Sequence, residues 1–396
     1  MPSKYLHFKD KEIYLYRNYD GKKHQVYTGN GYHIIDMEET YEVTKKPFNH
    51  PFIFVRSESK TEQEMIDEHK KYISMIEEIK DITNGEINMY RTGTIGKTAM
   101  SLFYKYDIID PENVEQYEFP YLENGGGIRY AQKGYEGIAY KYDINSFYPS
   151  IMASSKVKMP ICKGTLTDIT TDELKQKRYA QFGVYHAEII CDNDVKFTTT
   201  KDNMYSHYEI NYAKKLGLEI NVLGQSLIWN NDQTMTLHKI FDKYVKYLYR
   251  IKYKHEGLKT LLNSLWGALC SKFGGNNIEY IMKMEDVSEC KLDVVSITPM
   301  DEKFEYCKVI AKSDIKFYKT GFARMKPFLL GWGRLTMHKT FEKIGYENVV
   351  WSHTDSVVSK IRLTKKHINQ AYGLGKWKYE GTSENCYVYN KNFIDF

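Results

Sequence analysis

The feature that most constrains this chain is a strand that runs into a carboxylate and is then stopped. Residues 136–141 (EGIAYK) read as a β-strand that delivers Asp143, then polar Asn145 and Ser146, then Tyr148; Pro149 ends any strand ladder. A carboxylate at a strand end before a tight turn suits a hard metal ion, and the N–H groups of the turn suit an anion. Taken alone, the stretch reads first as a β-turn with an aspartate cap.

A chain of 396 residues can bury a sizeable core and should form more than one lobe. With 42% hydrophobic and 27% charged residues it is expected to be globular. Its six cysteines show no CxxC spacing, which argues against a zinc site or disulfide framework and fits a reducing compartment. The first residues, MPSKYLH, hold no apolar signal core, and no apolar run of about 18 residues occurs. The expectation is a soluble intracellular protein, neither secreted nor membrane-bound. A net charge of +5 permits a nucleic-acid partner without requiring one. The 35 tyrosines fit base-stacking surfaces or an AT-rich coding genome.

Asp20-Gly21 between the β-like runs 12–16 and 25–27 is a hairpin signal. Asp36-Met37-Glu38 has the form of an exonuclease metal pair, with no further carboxylate cluster to support it. Residues 61–82 read as an amphipathic helix with a Thr61/Glu64 capping box, and 93–104 as a second, short helix. Gly125-Gly126-Gly127 is a glycine-rich joint, either a plain linker or a place of close backbone approach. Residues 236–254 form a long helix, and a break at His255-Glu256-Gly257 precedes a second helix over 258–270. This pair is strongly basic. Lys259, Asn263 and Gly267 share one face of the second helix, which suits a triphosphate with a base beside it; the plainer reading is a solvated helical face. Residues 278–320 read as strand-rich and 325–345 as a helix. Strands at 348–351 and 357–361 flank a turn that carries Asp355, and 374–380 and 387–393 read as two further basic-aromatic strands.

Two turn-borne aspartates thus lie on either side of a basic helical pair. On adjacent strands, two carboxylates can bridge metal ions about 3.5–4 Å apart. The order resembles the three polymerase motifs of family B DNA polymerases. Residues 143–150 (DINSFYPS) resemble the first motif, 259–267 (KTLLNSLWG) the second, and 351–356 (WSHTDS) the third. Tyr121 with Gly125–Gly127 is similar to the family's Tyr-x-Gly-Gly joint, and Lys391-Asn392-Phe393 to its Lys-x-Tyr motif. Arg250-Ile251-Lys252 and residues 374–377 (LGKW) look like the protein-primed branch of phages, linear plasmids and related elements.

The resemblance implies an α+β right-hand fold with an antiparallel-sheet palm, helical-hairpin fingers and a thumb that is reduced or absent. It implies an N-terminal lobe over 1–120, palm with an insertion over 121–235, fingers over 236–275, and palm with an insertion and the start of a thumb over 276–396. Asp143 and Asp355 would be the catalytic metal ligands, with the Ile144 carbonyl completing one site. Two Mg²⁺ ions, or Mn²⁺ in their place, would be the cofactors. Ser146, Phe147, Arg250, Lys252 and Lys259 would hold the dNTP triphosphate, Tyr148 would exclude a 2′-hydroxyl, and Asn263 would floor the base-pair pocket. Gly126, Gly127, Gly267, Thr354, Lys376 and Lys391 would meet primer-template DNA. A terminal protein, or a separate exonuclease or thumb subunit, would be a partner, in a host cytoplasm or, for a plasmid-encoded chain, an organelle.

His353 stands where the third motif has its first aspartate, and Trp266 replaces the usual tyrosine of the second. An imidazole is a poor Mg²⁺ ligand, so weakened or Mn²⁺-favouring activity is expected. Residues 1–120 are too short for the three proofreading motifs, which implies no 3′–5′ exonuclease; the helix at 61–82 would be a remnant of that domain. The alternative is a catalytically weakened or inactive relative that binds DNA or a partner.

Overall fold

The computed structural model describes residues 13–17, 23–28, 31–36, 53–54, 62–89, 92, 94–123, 125–273, 278–288, 293–299, 306–312 and 317–396. The helices include α1 (Glu62–Ile82), α2 (Ile95–Phe103), α3 (Phe147–Met152), α4 (His207–Lys215), α5 (Leu237–Ile251), α6 (Glu256–Leu269) and α7 (Lys326–Ile344). The strands include β1 (Arg129–Ala131), β2 (Glu136–Ile144), β3 (Val349–His353), β4 (Ser356–Ser359), β5 (Trp377–Val388) and β6 (Ile394–Asp395). The chain divides into two compact units, Met1–Asp107 with Tyr247–Phe317 and Ile108–Lys246 with Tyr318–Phe396.

In the first unit, Ile13–Arg17 and Lys23–Thr28 pair antiparallel with Arg17 opposite His24, the hairpin predicted around Asp20-Gly21. Asp36 closes a strand that pairs with Lys23–Thr28, whereas Met37, Glu38 and Thr61 lie outside the described residues. α1 fills the predicted amphipathic span and buries Ile76 and Ile79. It ends where the Thr83 hydroxyl bonds back to the Ile79 carbonyl and Gly85 turns the chain at φ +77°. α2 starts at Thr94, whose hydroxyl accepts from the Lys97 N–H. α6 buries Leu258, Leu261, Leu262, Leu265 and Leu269. Its first turn lies so close to α1 that a Cβ on Gly257 would stand 2.7 Å from Ile79 and 2.9 Å from Met75, and Gly96 of α2 faces Ala268. Within 278–320, Tyr306–Lys312 is the middle strand of an antiparallel three-stranded sheet with Ile278–Lys283 and Asp293–Pro299.

The second unit is built on a six-stranded antiparallel sheet in the order β6-β5-β2-β4-β3-β1. Ala139, Val350, Trp351, Val358, Cys386 and Val388 form its apolar cluster. A second sheet is centred on Gly183–Ile190, and α4 and α7 contribute to the core beside it. α7 is buried on nearly every side, as a central helix must be, and Gly345 stops it at φ +85°. Among the described residues, two ion pairs are withdrawn from water: Arg324–Glu118 at 2.5 Å and Arg334–Glu209 at 2.7 Å. Removing one partner of such a pair costs about 3–5 kcal/mol, because the other charge stays buried.

The C-terminal strands differ from expectation. Residues 374–380 and 387–393 are not two strands; β5 runs unbroken from Trp377 to Val388 along β2. Its polar middle reads as a turn, but register shifts at Tyr379/Gly381 and Ser383/Cys386 absorb extra residues, with Gly381 at φ +153°. The chain turns after Val388, where the Asn390 side chain accepts from the Asn392 and Phe393 N–H groups.

Candidate active site

β2 enters the sheet between β5 and β4 and carries Asp143 to their ends. Asp143 sits opposite Ser356 on β4 and opposite Lys378 on β5. Asp355 lies one residue before β4, and its carbonyl accepts from the Ile144 N–H at 2.9 Å. The two aspartates that the sequence separates so widely are therefore on neighbouring strand ends, both half-buried. The turn that carries Asp355 is held from within. Thr354 takes a left-handed conformation (φ +58°), the Ser356 hydroxyl donates to the His353 carbonyl at 3.0 Å, and the Ser352 hydroxyl donates to the Ser356 carbonyl at 2.8 Å. Two carboxylates, Asp143 and Asp355, supply oxygen donors here. That chemistry fits a hard divalent ion that keeps several waters or phosphate oxygens in its shell. No cluster of three or more His, Cys, Asp or Glu that could hold a metal occurs among the described residues.

Beyond Asp143 the chain does not make a simple turn. Ser146 adopts φ +51°, and Phe147 starts α3, which takes Pro149 into its first turn. The Ser150 hydroxyl bonds back to the Phe147 carbonyl at 2.6 Å. Residues 375–377 latch this corner: the Asn145 N–H donates to the Lys376 carbonyl at 2.9 Å, and the Gly375 N–H donates to the Asn145 carbonyl at 2.8 Å. Gly375, at φ +70°, faces Ser150 with a would-be Cβ contact of 2.8 Å, so only glycine fits. Lys376 is thereby brought to the Asp143 corner. Tyr148 packs beside Phe147, with ring centroids 5.4 Å apart. Burial pushes its phenol up to about 12; Arg334 acts in the opposite direction and Asp355 adds to the rise.

Arg334 and Glu209 were not legible as site residues. The Arg334 guanidinium pairs with Glu209 and donates to the carbonyls of Gly126 (2.8 Å) and Gly125 (3.1 Å). Glu209 also accepts from the Ser206 N–H and hydroxyl, both at 2.9 Å. The available signals were the Ser206-x-x-Glu209 capping box and an arginine set in the small and apolar run Gly331-Trp332-Gly333. Lys378 was missed as well. Its amine pairs with Glu380 at 2.8 Å, and its pKa is raised by Glu380 first and by Asp143 to a lesser degree.

The remaining predicted residues belong to both units. In the first unit, Lys259, Asn263 and Gly267 form an exposed stripe opposite the buried leucines of α6, with Trp266 half-buried and Arg250 exposed. Lys252 is buried, its amine 4.3 Å from the Tyr249 ring centre and 5.0 Å from that of Tyr253. In the second unit, Lys391 pairs with Asp194 at 2.9 Å on the surface, an association worth about 0–1 kcal/mol. His353 stacks on Trp351 with centroids 5.8 Å apart.

The fold is similar to that of solved structures of Phi29 DNA polymerase. Phi29 DNA polymerase complexed with single-stranded DNA matches with a TM-score of 0.57 at 15% identity, over 85% of this chain and 60% of that one. The same polymerase with primer-template DNA and incoming nucleotide substrates gives 0.57 at 15% identity, over 85% and 61%. Its post-translocation binary complex gives 0.57 at 14% identity, over 93% and 69%. A DNA polymerase of Kluyveromyces lactis is 30% identical over 131 residues, which is 30% of this chain and 13% of that protein. The chain therefore spans only part of the length of these relatives. No helix among the described residues is long and apolar enough to cross a membrane. The family model for DNA polymerase type B, organellar and viral, matches residues 61–313, a span that includes the Asp143 corner and the whole of α6, and on that match the chain belongs to this family of DNA polymerases.

Proposed function

We propose that the chain is a DNA-dependent DNA polymerase that adds dNMP to a primer 3′-hydroxyl, with Asp143 and Asp355 as its metal-binding carboxylates. The observation that carries this reading is the antiparallel pairing of β2 with β4, which sets Asp143 opposite the residue after Asp355. Two Mg²⁺ ions held there would activate the primer hydroxyl and neutralise charge on the phosphate that is attacked. The chain's own residues orient the substrates. The corner at Ser146–Phe147 receives the triphosphate, and the Tyr148 ring, kept protonated by burial, lies under the deoxyribose. Lys259, exposed on α6, contributes positive charge to the triphosphate, with Arg250 and Lys252 as further cations. Asn263 and Gly267 on the same stripe line the base pair, while Gly126, Thr354, Lys376 and Lys391 meet DNA. In this reading the chain lacks 3′–5′ exonuclease, works inside a cell, and is primed either by a protein hydroxyl or by a nucleic-acid 3′-end.

Extension of a 5′-labelled primer on a template by the purified chain tests this. The expected result is templated addition from dNTPs, strong preference over NTPs, and no shortening of a mismatched 3′-end. Binding of primer-template without addition under both Mg²⁺ and Mn²⁺ would favour the inactive relative, which the histidine at 353 keeps in view. Offering a terminal protein in place of the primer reports the priming mode.

A further inference from the structure

Gly127 is the one residue of the glycine joint with no room for a side chain. A Cβ there would stand 2.9 Å from Thr354 Cγ2, 3.0 Å from its Oγ1 and 3.1 Å from its Cα, whereas Gly125 and Gly126 face open space. None of the three has a positive φ, so the demand at Gly127 is for space and not for backbone freedom. The residue it touches is itself strained. Thr354 is β-branched and held at φ +58°, a conformation that costs about 1–3 kcal/mol and persists only where the surroundings impose it. The joint adds to the hydrogen bonds that hold the turn from within. The Thr354 N–H donates to the Ile128 carbonyl at 2.7 Å, and Gly127 closes over the Thr354 side chain. The joint is in turn tied to the core by Arg334, which bonds the carbonyls of Gly125 and Gly126 and is neutralised by buried Glu209. A continuous line of contacts thus runs from a buried ion pair through the joint to the turn that presents Asp355.

We infer that Gly127 is a positioning residue for Asp355: the glycine joint is the seat of the metal-bearing turn. The inference rests on the polymerase reading of Asp143 and Asp355. A Cβ at 127 would push Thr354 out of its left-handed conformation and shift Asp355 relative to Asp143. Contact of Gly127 with DNA alone would instead weaken primer-template binding and leave metal affinity unchanged.

The test is Mn²⁺ binding, measured by calorimetry on the full chain with a dideoxy-terminated primer-template and a dNTP, so that no turnover occurs. In Gly127→Ala the Kd for Mn²⁺ should rise about tenfold, the low end of what lost support of a metal ligand costs. The Kd for primer-template, from fluorescence anisotropy without metal, should stay within twofold of the wild type. Because Thr354→Gly removes the two nearest clashing atoms, Cγ2 and Oγ1, leaves only the 3.1 Å approach to Cα, and suits the left-handed turn, Gly127→Ala should have a several-fold smaller effect in that background. A stable Gly127→Ala protein with unchanged Mn²⁺ affinity overturns the inference. So does the same fold-change from Gly127→Ala in the wild-type and Thr354→Gly backgrounds, since a variant that merely misfolds would not be rescued there. If the wild type shows no Mn²⁺ binding that Asp143→Ala removes, the polymerase reading fails and this inference with it.

Discussion

At the scale of single residues, the proposed site is a pair of carboxylates, a half-buried phenol and one anomaly. The anomaly is His353, which stacks on Trp351 beside the turn of Asp355. An imidazole at that place offers Mg²⁺ nothing that an oxygen ligand would not offer better. His353→Asp should therefore raise or preserve primer extension in Mg²⁺, and a fall would contradict the account of a weakened third motif. Tyr148 carries the second prediction. Tyr148→Val should raise the efficiency of NTP relative to dNTP by at least about tenfold, the equivalent of one contact near 1.4 kcal/mol in the transition state, measured by single-nucleotide kinetics. An unchanged ratio would remove the sugar-filter role. The strand end at Asp143 and the turn at Asp355 were legible because each lies in a short local motif. Arg334 and Glu209 were not, because their meaning comes from meeting each other and the joint, 125 positions apart in one case and more than 200 in the other. Nothing in the residues around Arg334 announces its partners.

At the scale of elements, periodicity located α1, α5 and α7, and the alternation around Asp20-Gly21 located a hairpin. It failed along β5, where two bulges carry a polar stretch through the ladder; a bulge is set by pairing with β2 and leaves no periodic trace. The exposed stripe of α6 was legible because five leucines fix the opposite face. The layer around α4 and α7 has a consequence for acid stability. His338 Nε2 accepts from the Thr198 N–H, so its Nδ1 carries the proton donated to the Val195 carbonyl, and the neutral ring is fully satisfied. Burial pushes its pKa down to about 4, and that of His207 down to about 3, from 6.5. Since the folded pKa values lie below the unfolded one, the stability is present above pH 6.5 and is lost as pH falls toward 4 and 3. Urea unfolding at pH 5 should show a loss on the order of 1–2 kcal/mol per histidine relative to pH 7, partly cancelled in His338→Gln. Equal stability at the two pH values would contradict the buried neutral imidazoles.

At the scale of the whole molecule, the chain crosses between its two units at 107/108, 246/247 and 317/318. Such interleaving is invisible to composition, because no linker-like sequence marks the crossings. The order of the three motifs is legible in the sequence, and the family it implies agrees with the one whose model matches residues 61–313. In the proposed reading, a labelled primer with a mismatched 3′-end should keep its length when incubated with the chain and Mg²⁺ in the absence of dNTPs; shortening would show a proofreading activity that the account denies. The central claim is that Asp143 and Asp355 together form one metal-dependent nucleotidyl-transfer site. Single-nucleotide incorporation by the wild type and by Asp143→Ala, in Mg²⁺ and in Mn²⁺, tests it most directly. The account predicts incorporation by the wild type in at least one metal and a loss of more than about 100-fold in Asp143→Ala, beyond what outer-shell changes cost, with primer-template still bound. Incorporation that survives Asp143→Ala, or a wild type inert in both metals, would contradict it.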